Sequence, residues 1–256
     1  VLDFAGKWAG REDKASVEGA RELPYLYDGI EVQYRNLPTP VPLGYWRSVG
    51  HSHTAFVVES FVDELAAAAA EDPLAFRLRH LHTDSRERRV LEEVARMARW
   101  GKPPEGRFHG VAVHESFHSV VAEVAEISLA GGKLRVERFF CAVDCGLVVN
   151  PDIARDQIEG GVAFALAAAL HGEITLERGA VAQGNFHDYP VLRHDEMPLV
   201  EVAFIPSDEP PRGVGEPGVP PAAPALANAL FAATGVRARR LPLGRAAFGR
   251  AAEGQA

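Results

Sequence analysis

Gly213-Val214-Gly215-Glu216-Pro217-Gly218 is the stretch from which the rest of the chain can be read. It sits in a proline-dense run from Pro206 to Pro224, and Glu216 is its one titratable side chain. The glycines before the glutamate let backbone approach a ligand closely and take φ values that other residues avoid. Pro217 stiffens the far side and restricts Glu216 to extended backbone. Residues Pro220 to Ala233 are alanine-rich, with proline confined to the first turn, as at a helix start. A carboxylate on a rigid loop at a helix start suits a positioned base. A capping glutamate in a surface turn uses the same letters.

Composition sets the bounds. The 256 residues can bury a sizeable core, and about half of them are apolar, so the chain is globular. A net charge of −8 argues against nucleic acid, which needs a basic face. No apolar run reaches the roughly 20 residues of a membrane span. Cys141 and Cys145 give neither a disulfide framework nor the four ligands usual for an iron–sulfur cluster, and read as free, buried thiols. The chain opens on Val1 without a visible signal peptide, so it reads as a fragment or a processed piece. Its compartment, cytoplasmic or periplasmic, stays open.

Four segments follow from composition shifts: an N-terminal arm and strand over 1–38, a helical part over 39–101, a second α+β part over 102–244 and a flexible tail over 245–256. In the first, Tyr25 to Tyr34 reads as a strand, because Ile30-Glu31-Val32-Gln33-Tyr34 alternates. Pro38-Thr39-Pro40-Val41-Pro42 is an extended connector, and Gly44 to His53 a loop of aromatic and small residues. A helix is expected over Thr54–Ala70, with Phe56, Val57, Phe61, Leu65 and Ala68 inward and Glu59, Asp63 and Glu64 on the wet side. Asp72-Pro73 caps and starts another helix, with Leu74, Leu78 and Leu81 as its apolar stripe. A third runs from about Glu87 to Trp100, with Leu91, Val94, Ala95 and Met97 inward, and stops at Gly101. Lys102 to Gly106 is the candidate internal boundary.

Beyond Gly110 the period changes to two. Val120–Leu129 and Leu134–Val143 flank Ala130-Gly131-Gly132-Lys133 and predict a β-hairpin. Asn150-Pro151-Asp152 launches a helix to about Leu170 that contains Gly160 and Gly161, each costing about 1 kcal/mol relative to alanine. A backbone or a ligand must approach that helix closely. Further strands are expected near Glu173–Leu176 and Val200–Ile205.

His114-Glu115-Ser116-Phe117-His118 matches the H-E-x-x-H pattern of zinc hydrolases, which requires a helix. Its flanks, Val111-Ala112-Val113 and Val120-Val121-Ala122, are strand-like. In a strand the two imidazoles stand about 13 Å apart, too far to share a zinc ion. His51 and His53 read as loop or cofactor-contact residues.

Three separated segments carry a resemblance: Tyr45-Trp46-Arg47-Ser48-Val49-Gly50, then Asp144-Cys145-Gly146 with Asn150-Pro151 and Gln157-Ile158-Glu159-Gly160-Gly161, then Gly213 to Pro217. In that order the chain resembles the molybdenum-cofactor-binding region of the xanthine dehydrogenase/aldehyde oxidase family. Within it, the likeness is to the large (beta) subunits of the isoquinoline 1-oxidoreductase and bacterial aldehyde dehydrogenase type, from about Tyr25 to Leu243. The G-G-G-F-G and G-Q-G motifs of that family are absent, so the likeness covers the C-terminal part of such a subunit. Ser48 and Val49 stand where many xanthine dehydrogenases have glycine and phenylalanine.

The resemblance implies an α+β fold of mixed β-sheets with packed helices. It also implies a molybdenum–molybdopterin cofactor, of the cytosine dinucleotide form in bacterial members. A metal-bound hydroxide would attack an aldehyde or N-heteroaromatic carbon, hydride would pass to a sulfido ligand, and Glu216 would be the base. Trp46, Arg47, Ser48, Gln157, Gly160, Gly161 and Gly215 match cofactor-binding positions, with no protein ligand to the metal. His187-Asp188-Tyr189-Pro190 is a further candidate for the pocket wall. The implied partners are the remaining molybdopterin-binding segment or subunit and an iron–sulfur subunit carrying two clusters. The alternatives are a non-catalytic assembly module and a zinc hydrolase using His114 and His118.

Overall fold

The structure, a computed structural model, describes residues 13–35, 37, 41 and 44–243. The first twelve residues of the arm, most of the proline connector and the tail from 244 lie outside the described residues.

The arm contains one short helix, α1 (Lys14–Val17), capped by Asp13. The expected strand over Tyr25–Tyr34 does not form: these residues run without regular structure. Ile30 and Val32 are 46% and 44% exposed. Alternation alone makes a strand only where a neighbouring edge offers hydrogen bonds, and none is paired here. Tyr25 instead plugs the core, its hydroxyl donating to Glu59 Oε1 at 2.6 Å.

Helix α2 spans His51–Ala68 and begins three residues earlier than expected, because Gly50 starts it without a side-chain cap. Its faces are also reversed in part. Val57 and Phe61 are exposed, whereas Glu59 and Asp63 are 1% and 3% exposed. The reason is Arg77, fully buried on α3 (Pro73–Arg79). Its Nε donates to Glu59 Oε2 at 2.9 Å, and its Nη1 lies 3.5 Å from Asp63 Oδ1. Arg237 donates to Asp63 Oδ2 at 2.6 Å. Two carboxylates can be buried because two guanidinium groups and the Val113 N–H, 3.0 Å from Glu59 Oε2, replace their water. Helix α3 is capped by the Asp72 carboxylate, and α4 (Arg86–Ala98) by the Ser85 hydroxyl, with Val90, Leu91 and Val94 inward.

Strands β1 (Arg107–Ser116), β2 (Ser119–Ala130) and β3 (Lys133–Asp144) pair antiparallel in sequence, the last two through the expected glycine turn. Helix α5 (Pro151–Leu170) starts on the Asn150 cap, as expected. A two-stranded ribbon follows, β4 (Leu176–Glu177) with β5 (Ala180–Val181). Strand β6 (Leu199–Phe204) then joins β3 in parallel, giving a sheet of order β1-β2-β3-β6. Helix α6 (Ala222–Thr234) closes the fold and is buried almost throughout its first nine residues.

The sheet is covered on both faces, which is why its centre is buried residue after residue. Alternate residues such as Val121, Ala125, Phe139 and Cys141 meet Ile158, Leu166, Leu226 and Leu230 of α5 and α6. The others, among them Val111, Val113, Val120 and Ala142, meet Val62, Phe76, Val90 and Val94 of α2, α3 and α4. Helix α6 rests directly on β1 at Gly110, where a Cβ would stand 2.0 Å from Ala229 N. No helix of the described residues is long and apolar enough to cross a membrane.

Candidate active site

The glutamate loop is fixed from four sides. Ser119 at the start of β2 donates its hydroxyl to Gly213 O at 2.9 Å. Arg47 Nε donates to Gly215 O at 2.7 Å, and its Nη2 donates to the same carbonyl. Ser48 N–H donates to Glu216 Oε1 at 3.1 Å, and Ser48 Oγ donates to Glu216 O at 2.8 Å. Upstream, Cys145 O accepts from Arg212 N–H and Glu209 O from Leu147 N–H, both at 2.9 Å. The Asp144-Cys145-Gly146 segment thus guides the chain into the loop. Asp144 is itself fixed to α4 by Arg86 and Arg89. Burial would raise its pKa, but the Arg86 hydrogen bonds and charge hold it below the usual carboxylate range.

Arg47 is the clamp of the site. Besides Gly215 it reaches α5, where Nη1 donates to Gly160 O at 3.2 Å and Nη2 to Gln157 O at 3.3 Å. Three segments far apart in sequence therefore meet on one guanidinium. Four of its five N–H donors go to carbonyls, so Arg47 ties the glutamate loop to α5. Trp46 packs on Phe164 of α5 with ring centroids 4.5 Å apart and planes tilted by 38°, and the Arg47 guanidinium lies 5.7 Å over the same ring.

The two glycines of α5 do different things. A Cβ on Gly161 would stand 3.0 Å from the Gly218 carbonyl carbon, so its bareness lets the glutamate loop pack on the helix. A Cβ on Gly160 would meet nothing nearer than Arg47 Nη1 at 4.0 Å, and one on Gly213 would meet nothing within 4 Å. The Gln157 side chain is exposed beside Gly215. The surface between Gln157, Gly160 and the glutamate loop is thus bare backbone with one primary amide, and Glu216 is half-buried at its edge.

The left-handed turn below Glu216 is a strained one. Ser48 and Val49 have φ values of +74° and +48°. Glycine takes that region freely, and a β-branched residue rarely does. Gly50 N–H donates to Glu18 Oε1 at 2.9 Å, and His51, opening α2, places Nδ1 2.9 Å from His114 Nε2. The sequence gives no sign of this histidine pair, whose members are 63 residues apart. Burial lowers the pKa of His51, against the raising effect of Glu18 and Glu216. Burial drives that of His114 down to about 3, helped by His51.

His114 lies on β1, and His118 lies in the tight turn that follows, where Phe117 and His118 have positive φ. The H-E-x-x-H letters therefore span a strand and a turn, not a helix. Among the described residues no group of three or more histidine, cysteine or acidic side chains is arranged to hold a metal ion. Both cysteines are free and buried. A cavity of about 520 Å³ lies beyond the clamp, between Trp46, Phe164, Tyr189, Pro190 and Arg193. Tyr189 and Pro190 thus wall this cavity, and the His187 side chain is exposed.

The family described as the molybdopterin cofactor-binding domain matches residues 55–198. The chain is 34% identical over 209 residues to the isoquinoline 1-oxidoreductase beta subunit of Brevundimonas diminuta, covering 79% of this chain and 27% of that protein. It is 34% identical over 242 residues to a nicotinate dehydrogenase subunit of Pseudomonas putida, covering 86% of this chain and 20% of that one. The crystal structure of quinoline 2-oxidoreductase from Pseudomonas putida 86 superposes with a TM-score of 0.73 at 13% identity, over 83% of this chain and 53% of that one, a likeness of fold. The chain spans less than a third of the length of the two curated relatives.

Proposed function

Because the chain belongs to the molybdopterin cofactor-binding family, we propose that it supplies the part of a molybdenum hydroxylase site that carries the base, Glu216. The observation that carries this reading is the Arg47–Ser48 turn. It grips the α5 carbonyls of Gln157 and Gly160 and the glutamate loop together. A surface cap would need no such clamp.

The residues fit a flat, polar group. Gly160 and Gly213 leave open space where side chains would stand, and the exposed Gln157 amide offers both a donor and an acceptor. In this reading Gln157 and the backbone at Gly160, Gly213 and Gly215 hold the molybdopterin, in its cytosine dinucleotide form. Trp46, Arg47, Ser48 and Gly161 keep that floor in shape. The bound group supplies a redox-active metal that accepts two electrons. Glu216 takes up one proton on its carboxylate as substrate is oxidised, and Ser48 N–H keeps the accepting oxygen oriented.

The substrate class in this proposal is an aldehyde or an N-heteroaromatic, the latter in keeping with the names of the two curated relatives. An iron–sulfur subunit takes the electrons onward, and a further molybdopterin-binding segment or subunit completes the cradle. The test is to purify the assembled enzyme with its genomic neighbours and measure molybdenum, pterin and iron–sulfur absorption. Stoichiometric molybdenum with pterin supports the reading. Zinc bound at His114 and His118, or a protein that takes up neither, contradicts it.

A further inference from the structure

We propose that His51 is a positioning residue for Glu216, the protonatable member of a Glu18–His51–His114 row that places a titratable positive charge at the end of the turn that holds the base. This rests on the reading of Glu216 given above. The observation is the shared turn. Ser48 N–H and Gly50 N–H, two residues apart, point to two different carboxylates, Glu216 at 3.1 Å and Glu18 at 2.9 Å. His51 follows directly and opens α2, with its Nε2 3.9 Å from Glu18 Oε2.

The groups facing His51 come from three elements. Glu18, from the loop after α1, has Oε2 3.9 Å from His51 Nε2. His114, from β1, has Nε2 2.9 Å from His51 Nδ1. The negative charge of Glu216, on the loop before α6, raises the His51 pKa. The Phe117 ring closes the remaining side, edge-on at 5.3 Å. Gly19 walls in His114, since a Cβ there would stand 2.8 Å from its ring.

Protonation is directed within this row. His114 is kept neutral by burial, so a proton added to the pair resides on His51. Cationic His51 donates Nδ1–H to the lone pair of neutral His114 and turns Nε2–H towards Glu18. Neutral His51 removes that charge from the end of the turn that makes the Ser48–Glu216 hydrogen bond. The strained φ of Ser48 and Val49 leaves the turn little freedom to relax away from it.

The test follows the imidazole nitrogens by NMR in the full chain labelled with 15N-histidine, from about pH 8 to about pH 4.5. His51→Gln assigns the signal. Glu216→Gln, with Glu216→Ala in reserve should the first not fold, is expected to lower the His51 pKa, as loss of a nearby negative charge requires. Glu18→Gln is expected to lower it too, while His114 does not titrate in the range. In the assembled enzyme, His51→Gln should remove the inflection of the kcat–pH profile at the pKa measured for His51. A His51 titration unmoved by the loss of Glu216 overturns the proposal. Retained turnover in Glu216→Gln overturns the reading of Glu216 instead, and the NMR shift distinguishes the two failures.

Discussion

Ser48 holds Glu216 twice, by its N–H to the carboxylate at 3.1 Å and by its hydroxyl to the carbonyl at 2.8 Å, from a backbone with φ +74°. Two opposing terms meet there. Ser48→Ala loses the hydroxyl bond, about 1 kcal/mol, and keeps the strain. Ser48→Gly loses the same bond but relieves a left-handed penalty of about 1–2 kcal/mol. Urea unfolding should therefore show the alanine variant about 1 kcal/mol less stable and the glycine variant near the parent.

The neighbouring glycines of α5 predict opposite signs. Gly161→Ala pushes a methyl against the Gly218 backbone, where no flexible side chain can give way. It should destabilise by about 1–3 kcal/mol and disturb the glutamate loop. Gly160→Ala meets open space and should gain up to about 1 kcal/mol from helix propensity. If the cofactor lies on Gly160, that more stable protein should bind less of it. Denaturation curves beside molybdenum content check both halves.

Two buried groups set opposite pH limbs of stability. His114, lowered to about 3 by burial, is neutral in the fold and takes a proton when unfolded below about 6.5. Its contribution is present above that pH and falls by about 1.4 kcal/mol per pH unit as pH drops towards 3. Glu123, fully buried in β2, has both oxygens without a partner of ordinary hydrogen-bond geometry. Burial pushes its pKa well above the usual value, with the Cys141 thiol opposing this weakly. Its folded form is protonated, so stability is full below about 4.5 and declines as pH rises through the folded pKa. Unfolding from pH 4 to 8 should therefore show a shallower acid slope in His114→Phe and a shallower alkaline slope in Glu123→Gln.

Arg77 has no exposed atom and joins Glu59 and Asp63. Arg77→Met leaves two buried carboxylates short of a cation and should cost about 3–5 kcal/mol. Arg237→Met removes one partner of Asp63 and leaves Arg77 on both carboxylates, so it should cost less. Guanidinium denaturation at fixed pH ranks them.

What the sequence declares is what is local. Asp72-Pro73 and Asn150-Pro151 carry cap and first turn within a few letters, and both helices start there. The glycine turn of the β2–β3 hairpin is equally plain. Glu59 and Asp63 read as solvent-facing because the arginine that buries them comes from another helix. Tyr25–Tyr34 shows that a period of two is no strand without an edge to join. The glutamate loop is legible as a motif, but its clamp is not, because Arg47 meets Gly215 across 168 positions. The His51–His114 pair leaves no local mark at all.

The most direct measurement is turnover of Glu216→Gln in the assembled enzyme, with molybdenum and pterin measured on the same sample. The carboxamide keeps the size of the side chain and removes its capacity to take a proton. The expected result is full cofactor content with turnover reduced at least a hundredfold, in line with loss of a general base, roughly 10²–10⁴ in rate. Parent-like turnover with cofactor in place would show that Glu216 is a structural cap and that the base lies elsewhere.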